Sequence, residues 1–207
     1  GTAGIMWNEP GSNGPWTTID TSVVGNTTPN TPSVANGVAR LPLDVTSEAQ
    51  ESGLYFGDVR PFVLNQGVVF ECRVALQTLP TLLSEAVFGL AGNKNSVADS
   101  VAESIWFKAD GSGAIVVEND DTANTNDDVA TGTTLTAGTF AVFRIDCTTI
   151  ADVLFYIDGV RVAAATTFDM STTAGLQLQP YFHVAKASGA GLGVLDVDEV
   201  KIWQKRG

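Results

Sequence analysis

From residue 37 onward, the sequence is a succession of short apolar runs separated by glycine, asparagine and aspartate. The runs are rich in valine, isoleucine, phenylalanine and threonine, which is typical of β-strands between turns. Asp158-Gly159 separates two such runs and matches a type I′ hairpin turn, because both residues tolerate positive φ. No helical period runs along the chain, and only residues 97–103 are compatible with a short helical turn. The pattern predicts an all-β domain over residues 37–207.

Residues 1–36 differ in composition from the rest of the chain. They are rich in glycine, threonine, asparagine, proline and serine, so they cannot form a core of their own. We interpret them as an extended N-terminal arm. Ile5, Trp7 and Trp16 are its candidate anchors to a partner, because large apolar side chains bury much area per residue. The alternative, in which the arm only covers its own domain, stays open.

The bulk composition excludes several classes of protein. With 207 residues, 44% of them hydrophobic, the chain is long enough to bury a two-sheet core and too apolar to be disordered. No apolar stretch approaches the roughly 20 residues of a membrane span. The net charge of −12 disfavours nucleic acid as a partner, because an acidic surface repels phosphates.

Two cysteines, Cys72 and Cys147, alternate in phase with the apolar residues of predicted strands. This phase favours two buried free thiols that pack as small apolar side chains. A disulfide between them is the alternative if the two strands face each other, and the sequence does not decide between the two.

Three segments carry a resemblance to a known superfamily. They are the aromatic strand Phe140–Asp146, the hairpin Phe155–Gly159 and the closing strand Val197–Trp203. Together they resemble the laminin-G-like branch of the concanavalin-A-like lectin and glucanase superfamily, over roughly residues 68–204. The resemblance implies a jelly-roll sandwich of two antiparallel sheets, one of them concave. Alternation slips between Val197 and Val200, which predicts a β-bulge there.

No catalytic site is predicted, and we expect a non-enzymatic protein. His183 is the only histidine, and no serine lies in a G-x-S-x-G turn. The E-x-D-x-x-E motif of the superfamily's glycosidases is absent. Its nearest equivalent is the pair Asp196 and Asp198 on the closing strand, where the family uses the aspartate structurally.

Polar residues alternate with apolar ones on three predicted strands. The outward-facing candidates for ligand contact are Gln177, Gln179, Tyr181, His183, Arg73 and Arg144. If these strands share the concave sheet, the side chains line a polar groove with aromatic tips that suits a sugar. The alternative is a solvated face with cross-strand ion pairs, each contributing little to stability.

A calcium ion is the only cofactor that the sequence suggests. The polar segment 119–128 is expected to form a long exposed loop, and its carboxylates are Asp120, Asp121, Asp127 and Asp128. These supply enough oxygen ligands for Ca²⁺. Asparagine and aspartate are also ordinary loop residues, and no EF-hand spacing is present. We therefore assign no residue as a metal ligand.

Two functions fit these observations. The first is a decoration or cement protein on the capsid of a tailed phage, where a homotrimer contacts the major capsid protein through its sandwich and arm. Phage structural genes often encode laminin-G-like jelly rolls, so the resemblance permits this function. The alternative is a carbohydrate-binding, lectin-like module, extracellular or on a tail fibre. Neither function calls for nucleic acid or a membrane as a partner.

Overall fold

Two antiparallel β-sheets, stacked face to face, form the sandwich. The computed structural model describes residues 15–24, 28–30, 37–81, 83–172 and 176–205. Helical structure within these ranges is limited to two 3₁₀ turns, Leu64–Gln66 and Ala98–Ser100. The predicted all-β jelly-roll sandwich is therefore confirmed. No helix in the same ranges is long and apolar enough to cross a bilayer.

The larger sheet has eight strands within the described residues. They are β1 (Thr17–Asp20), β3 (Gln50–Tyr55), β4 (Phe62–Val63), β6 (Ser84–Ala91), β7 (Ser104–Asp110), β8 (Ala114–Asp120), β9 (Thr125–Thr134) and β13 (Gln177–Lys186). Their order is β1-β3-β13-β6-β7-β8-β9, and the short β4 pairs with one end of β13.

The smaller sheet has six strands in the order β12-β11-β10-β5-β14-β2. They are β2 (Ala39–Pro42), β5 (Val69–Thr78), β10 (Ala141–Asp146), β11 (Leu154–Ile157), β12 (Val160–Val162) and β14 (Val194–Trp203). The register of β14 against β5 shifts between Val197 and Glu199, which confirms the predicted bulge. The β11–β12 turn is also as predicted, because Asp158 and Gly159 have φ values of 49° and 79°.

Phenylalanines from both sheets interlock at the centre of the sandwich. The ring of Phe107 on β7 lies 4.9 Å from that of Phe143 and 5.3 Å from that of Phe155, both edge-on and both from the smaller sheet. Phe88 on β6 stacks on Phe107 with ring centroids 5.7 Å apart. All four side chains are essentially inaccessible to solvent. Edge-to-face aromatic contacts add to the stabilisation from buried area, so this group fixes how the sheets are stacked.

The described part of the N-terminal arm packs on the chain's own sandwich. Strand β1 pairs with β3 and extends the edge of the larger sheet. The ring of Trp16 contacts Phe56 edge-on at 4.8 Å and lies 6.1 Å from Phe182. Trp16 therefore packs on the core of its own domain, which agrees with the alternative left open for the arm, and its role as an anchor to a partner stays a prediction. Ile5 and Trp7 lie outside the described residues.

Both cysteines are free and buried. Cys72 lies within β5 and Cys147 directly follows β10, and both belong to the core between the sheets. Burial raises the pKa of each thiol, so neither is activated as a nucleophile. The free-thiol interpretation is confirmed.

Replacing Phe107 with alanine should lower the free energy of unfolding by about 3–5 kcal/mol, because it leaves a cavity between the sheets. Val160→Ala is the control, since Val160 is 67% exposed and its truncation should change stability by less than about 0.5 kcal/mol. Equilibrium unfolding in urea measures both. Equal losses in the two variants would contradict the central role of Phe107.

Candidate functional site

The larger sheet has an outer face, which points away from the smaller sheet and carries polar and aromatic side chains. On β13, Gln179, Tyr181 and His183 lie on this outer face, while Phe182 and Val184 point into the core. The direction predicted from the alternation is therefore correct for these residues. Their burial differs from the prediction of ligand-accessible side chains, because all three are completely buried. Gln177 alone is exposed, at the end of β13 that pairs with β4.

Residues 92–103, which join β6 to β7, cover the outer face. We call them the 92–103 loop. Ala98 and Val101 of this loop pack in one apolar cluster with Trp106 and Tyr181. The backbone N–H of Gly92 donates to the carbonyl of Glu103 at 2.8 Å, so the two ends of the loop meet. The loop thus folds back over its own sheet.

Arg73 and Arg144 do not belong to this face, and the expectation that they line one groove with Tyr181 and His183 is wrong. They lie on β5 and β10 of the smaller sheet, on the opposite side of the sandwich. Arg73 pairs with Asp198 and stacks on Phe140, while Arg144 pairs with Asp146 at 2.8 Å. Alternation along a strand identifies its outward side chains, but it does not identify the sheet that the strand joins.

An aromatic pair occupies the centre of the outer face. Tyr181 and Trp106 lie on either side of Gly89 in one cross-strand row. A Cβ atom at position 89 would lie 2.7 Å from the Cα of Trp106, so glycine is needed there. Above it the two rings stack with centroids 6.0 Å apart. The indole N–H of Trp106 donates to Glu118 at 2.7 Å, which fixes the orientation of the ring.

Charged side chains surround the aromatic pair on two sides. On one side the Lys108 ammonium lies 3.0 Å from Glu118 and 2.9 Å from Asp99 of the 92–103 loop. On the other side Glu51 lies 3.1 Å from Nε2 of His183 and 2.8 Å from the ammonium of Lys94, also of the loop. Two ion pairs therefore tie the loop to the sheet.

Burial and hydrogen bonding shift the pKa values of these groups. Burial would raise the pKa of Glu51, but hydrogen bonds from His183 and Lys94 hold it at about 2. Burial lowers the pKa of His183 more than the contact with Glu51 raises it, so the imidazole is neutral near pH 7. When Nε2 donates to Glu51, Nδ1 is an acceptor, and it has no hydrogen-bond partner among the described residues.

A cleft of about 580 Å³ opens beside the 92–103 loop. We call it the acidic cleft. Its lining is Thr21, Ala49, Gln50, Glu51, Leu83, Ser84, Glu85, Ser96, Val97, Asp110, Ala185, Lys186 and Ala187. Glu85 and Asp110 are directly opposite each other on β6 and β7. Burial raises the pKa of Glu85, which the positive charge of Lys108 partly offsets. Leu83 and Val97 are 57% and 52% exposed and supply an apolar rim.

The expected calcium loop is a β-hairpin. Strands β8 and β9 take up most of segment 119–128, and only residues 121–124 form the turn between them. Asp121 accepts backbone hydrogen bonds from Ala123, Asn124 and Thr172 and thereby holds the turn. Within the described ranges, no group of three or more His, Cys, Asp or Glu side chains is placed to hold a metal ion. The long-loop prediction is wrong because β8 and β9 continue into this polar sequence.

Sequence reasoning missed Lys94, Lys108 and Glu118 as members of this face. A signal was present for Lys108, since it alternates with Trp106 along β7 in the same way as His183 does with Tyr181 along β13. Lys94 carried no such signal, because its position depends on how the 92–103 loop folds.

The sequence matches no protein-family model and no curated protein sequence. Many solved structures are similar to this fold, including the following three. The carbohydrate recognition domain of Emp47p has a TM-score of 0.59 at 8% identity, over 98% of this chain and 92% of that one. Alginate lyase A1-II′ of polysaccharide lyase family 7 has a TM-score of 0.57 at 13% identity, covering 86% and 84%. The carbohydrate esterase vb_24B_21 of Shiga toxin-encoding bacteriophage phi24B has a TM-score of 0.51 at 13% identity, covering 92% and 90%. At these identities the likeness establishes the jelly-roll fold.

The neutral, buried state of His183 should make stability depend on pH. A histidine whose pKa is lower in the folded state than the usual 6.5 binds a proton more readily when unfolded, so its contribution to stability is lost as the pH falls below about 6.5. The free energy of unfolding of the wild type should therefore fall relative to that of His183→Gln between pH 7 and pH 4.5. Because the chain has a single histidine, the difference between the two curves reports this group together with Glu51, to which it is hydrogen-bonded. If the free energy of unfolding of the two proteins changed with pH in the same way, a lowered pKa of His183 in the folded state would be contradicted.

Proposed function

We propose that this chain is a non-enzymatic, glycan-binding protein of the lectin type, and that its glycan binds in the acidic cleft. The observation that carries the proposal is the combination of carboxylates and exposed aliphatic side chains in one cleft on the outer face. Glycan sites need acceptors for hydroxyl groups and apolar surface for the C–H faces of the sugar ring. Glu85 and Asp110 supply the first, and Leu83 and Val97 supply the second.

The volume and position of the acidic cleft support this function. A volume of about 580 Å³ falls within the usual range of small-molecule sites. Neither Glu85 nor Asp110 forms an ion pair with a described residue. The backbone of Ala98 hydrogen-bonds to the Glu85 carboxyl, which has a second oxygen to offer to a hydroxyl group. The aromatic pair Trp106 and Tyr181 lies on the adjoining face, where the 92–103 loop covers it.

A binding function also agrees with the state of the candidate catalytic groups. His183 is buried, and its Nε2 atom is bound to Glu51. Asp196 and Asp198 are held by Arg40 and Arg73. Proton transfer to a substrate needs a group within hydrogen-bond reach of it, and neither His183 nor Asp196 nor Asp198 lines the acidic cleft.

Screening on an array of microbial and plant glycans, followed by calorimetry with the bound oligosaccharide, tests this proposal. The double variant Glu85→Gln/Asp110→Asn should weaken binding at least about tenfold, because it removes two charged acceptors while keeping their shape. Glu199→Gln on the smaller sheet is the matched control and should bind as the wild type does. A blank array with folded protein would overturn the proposal.

A second candidate function is that of a phage capsid decoration protein, which acts as a homotrimer on the virion and contacts the major capsid protein. The position of β1 favours it. This strand of the predicted arm lies at the edge of the larger sheet, and residues 1–14 precede it in the sequence. A strand at the edge of a sheet is where a chain segment passes from one subunit to another by main-chain pairing.

Deleting residues 1–14, which keeps β1 and Trp16, tests the second function. The variant should keep the unfolding midpoint of the full chain, lose trimer formation in size-exclusion chromatography with light scattering, and fail to co-sediment with phage capsids that lack their decoration protein. The full-length chain is the control. An unchanged oligomeric state together with unchanged capsid binding would exclude the arm from this role.

A further inference from the structure

We propose that the 92–103 loop is a lid, and that its opening extends the glycan site from the acidic cleft onto the rings of Trp106 and Tyr181. This inference rests on the glycan-binding function proposed above. It adds the part of the site that selects longer oligosaccharides. The closed loop leaves a ligand only the acidic cleft, whereas an open loop uncovers the aromatic pair at the centre of the outer face.

The side chains beneath the loop are the first argument. A sheet face that is covered only for stability is expected to be apolar, because replacing buried ion pairs by apolar residues is often neutral or stabilising. Here Lys108, Glu118 and His183 are at most 4% exposed on that face. Polar groups of this kind, beside two stacked rings, are those that orient a sugar.

The unpartnered nitrogen of His183 is the second, independent argument. The side chain is completely buried, and Nδ1 has no hydrogen-bond partner among the described residues. Buried polar atoms in native proteins almost always have a partner. A hydroxyl group of a sugar lying across Tyr181 would donate to this nitrogen, because the rings of Tyr181 and His183 are only 5.5 Å apart.

The attachment of the loop is the third argument. Several of its contacts with the sheet are polar: Lys94 pairs with Glu51, Asp99 pairs with Lys108, and the carbonyl of Asn95 accepts from the Tyr181 hydroxyl at 3.2 Å. The Asp99 carboxylate is 65% exposed, so water replaces its ion pair readily. The apolar contacts of the loop come from its own residues Ala98 and Val101, which pack on Trp106 and Tyr181. Such a segment separates from the sheet more easily than one anchored by large apolar side chains.

Adjacent ends allow the loop to move without disturbing the sheet. Gly92 and Glu103 are paired, and β6 and β7 remain hydrogen-bonded to each other from Ala91 and Ser104 inward. Opening therefore needs rotation near these ends only. The wall that the loop shares with the acidic cleft consists of Ser96 and Val97, so the same movement widens the cleft towards Trp106.

Hydroxyl-radical footprinting of the full chain, read residue by residue by mass spectrometry, tests the lid directly. The variant Lys94→Ala removes the ion pair with Glu51. The double variant Lys94→Ala/Asp99→Asn also removes the ion pair with Lys108, and both variants leave the core unchanged. Oxidation of Trp106 and Tyr181 should rise at least about threefold in the double variant. Lys201→Ala is the matched control, because it removes an ammonium paired with Glu71 and Glu199 on the other sheet. It should leave both oxidation rates unchanged.

A glycan array that carries length series of glucans and mannans, from one to six sugar rings, provides the second readout. The double variant should gain affinity for the longer members relative to the shorter ones, and Trp106→Phe in the same background should reduce that gain. Unchanged oxidation of Trp106 and Tyr181 would overturn the lid even if glycans bind. Increased oxidation without binding of any array member, by either protein, would overturn the glycan function and this inference together.

Discussion

Burial of β13 on both faces is the constraint on which the rest of the structure depends. Nine of its ten residues are buried, and only Gln177 at its start is exposed. One face packs through Phe182 and Val184 into the core between the sheets. The other carries Tyr181 and His183, so it needs a second cover, which is the 92–103 loop. A strand with this position divides the molecule into a dry core and a polar layer beneath the loop.

The fold could be predicted from the sequence because its signals are local. The Asp158-Gly159 turn and the slip in the closing strand each specify a backbone geometry within a few residues, and both are present. The sheet assignment of Arg73 and Arg144 could not be predicted, because it depends on pairing between strands far apart in sequence. The same limit applies to Trp16, whose partners Phe56 and Phe182 are distant in the chain.

The candidate site could be predicted only in part, for a related reason. Alternation along β13 correctly indicated that Gln179, Tyr181 and His183 face away from the core. It could not indicate their burial, because the cover is a loop without periodicity. The ion pairs of Lys94 and Lys108 compensate for charge that the sheet alone would leave buried. The polar layer and the loop therefore stabilise each other, and the sequence of either segment alone does not reveal the site.

The two proposed functions meet at a single segment of the chain. Thr21 directly follows β1, lines the acidic cleft, and its backbone N–H donates to the carbonyl of Glu51 at 3.3 Å. Glu51 in turn holds both His183 and Lys94. The edge strand that leads to the arm is thus hydrogen-bonded to the residue that ties down the 92–103 loop. Any partner that displaces β1 from the sheet edge would remove one wall of the cleft and loosen the support of Glu51. If the arm and the cleft bind as proposed, we therefore expect the two binding events to be coupled through β3, by way of the proposed opening of the 92–103 loop.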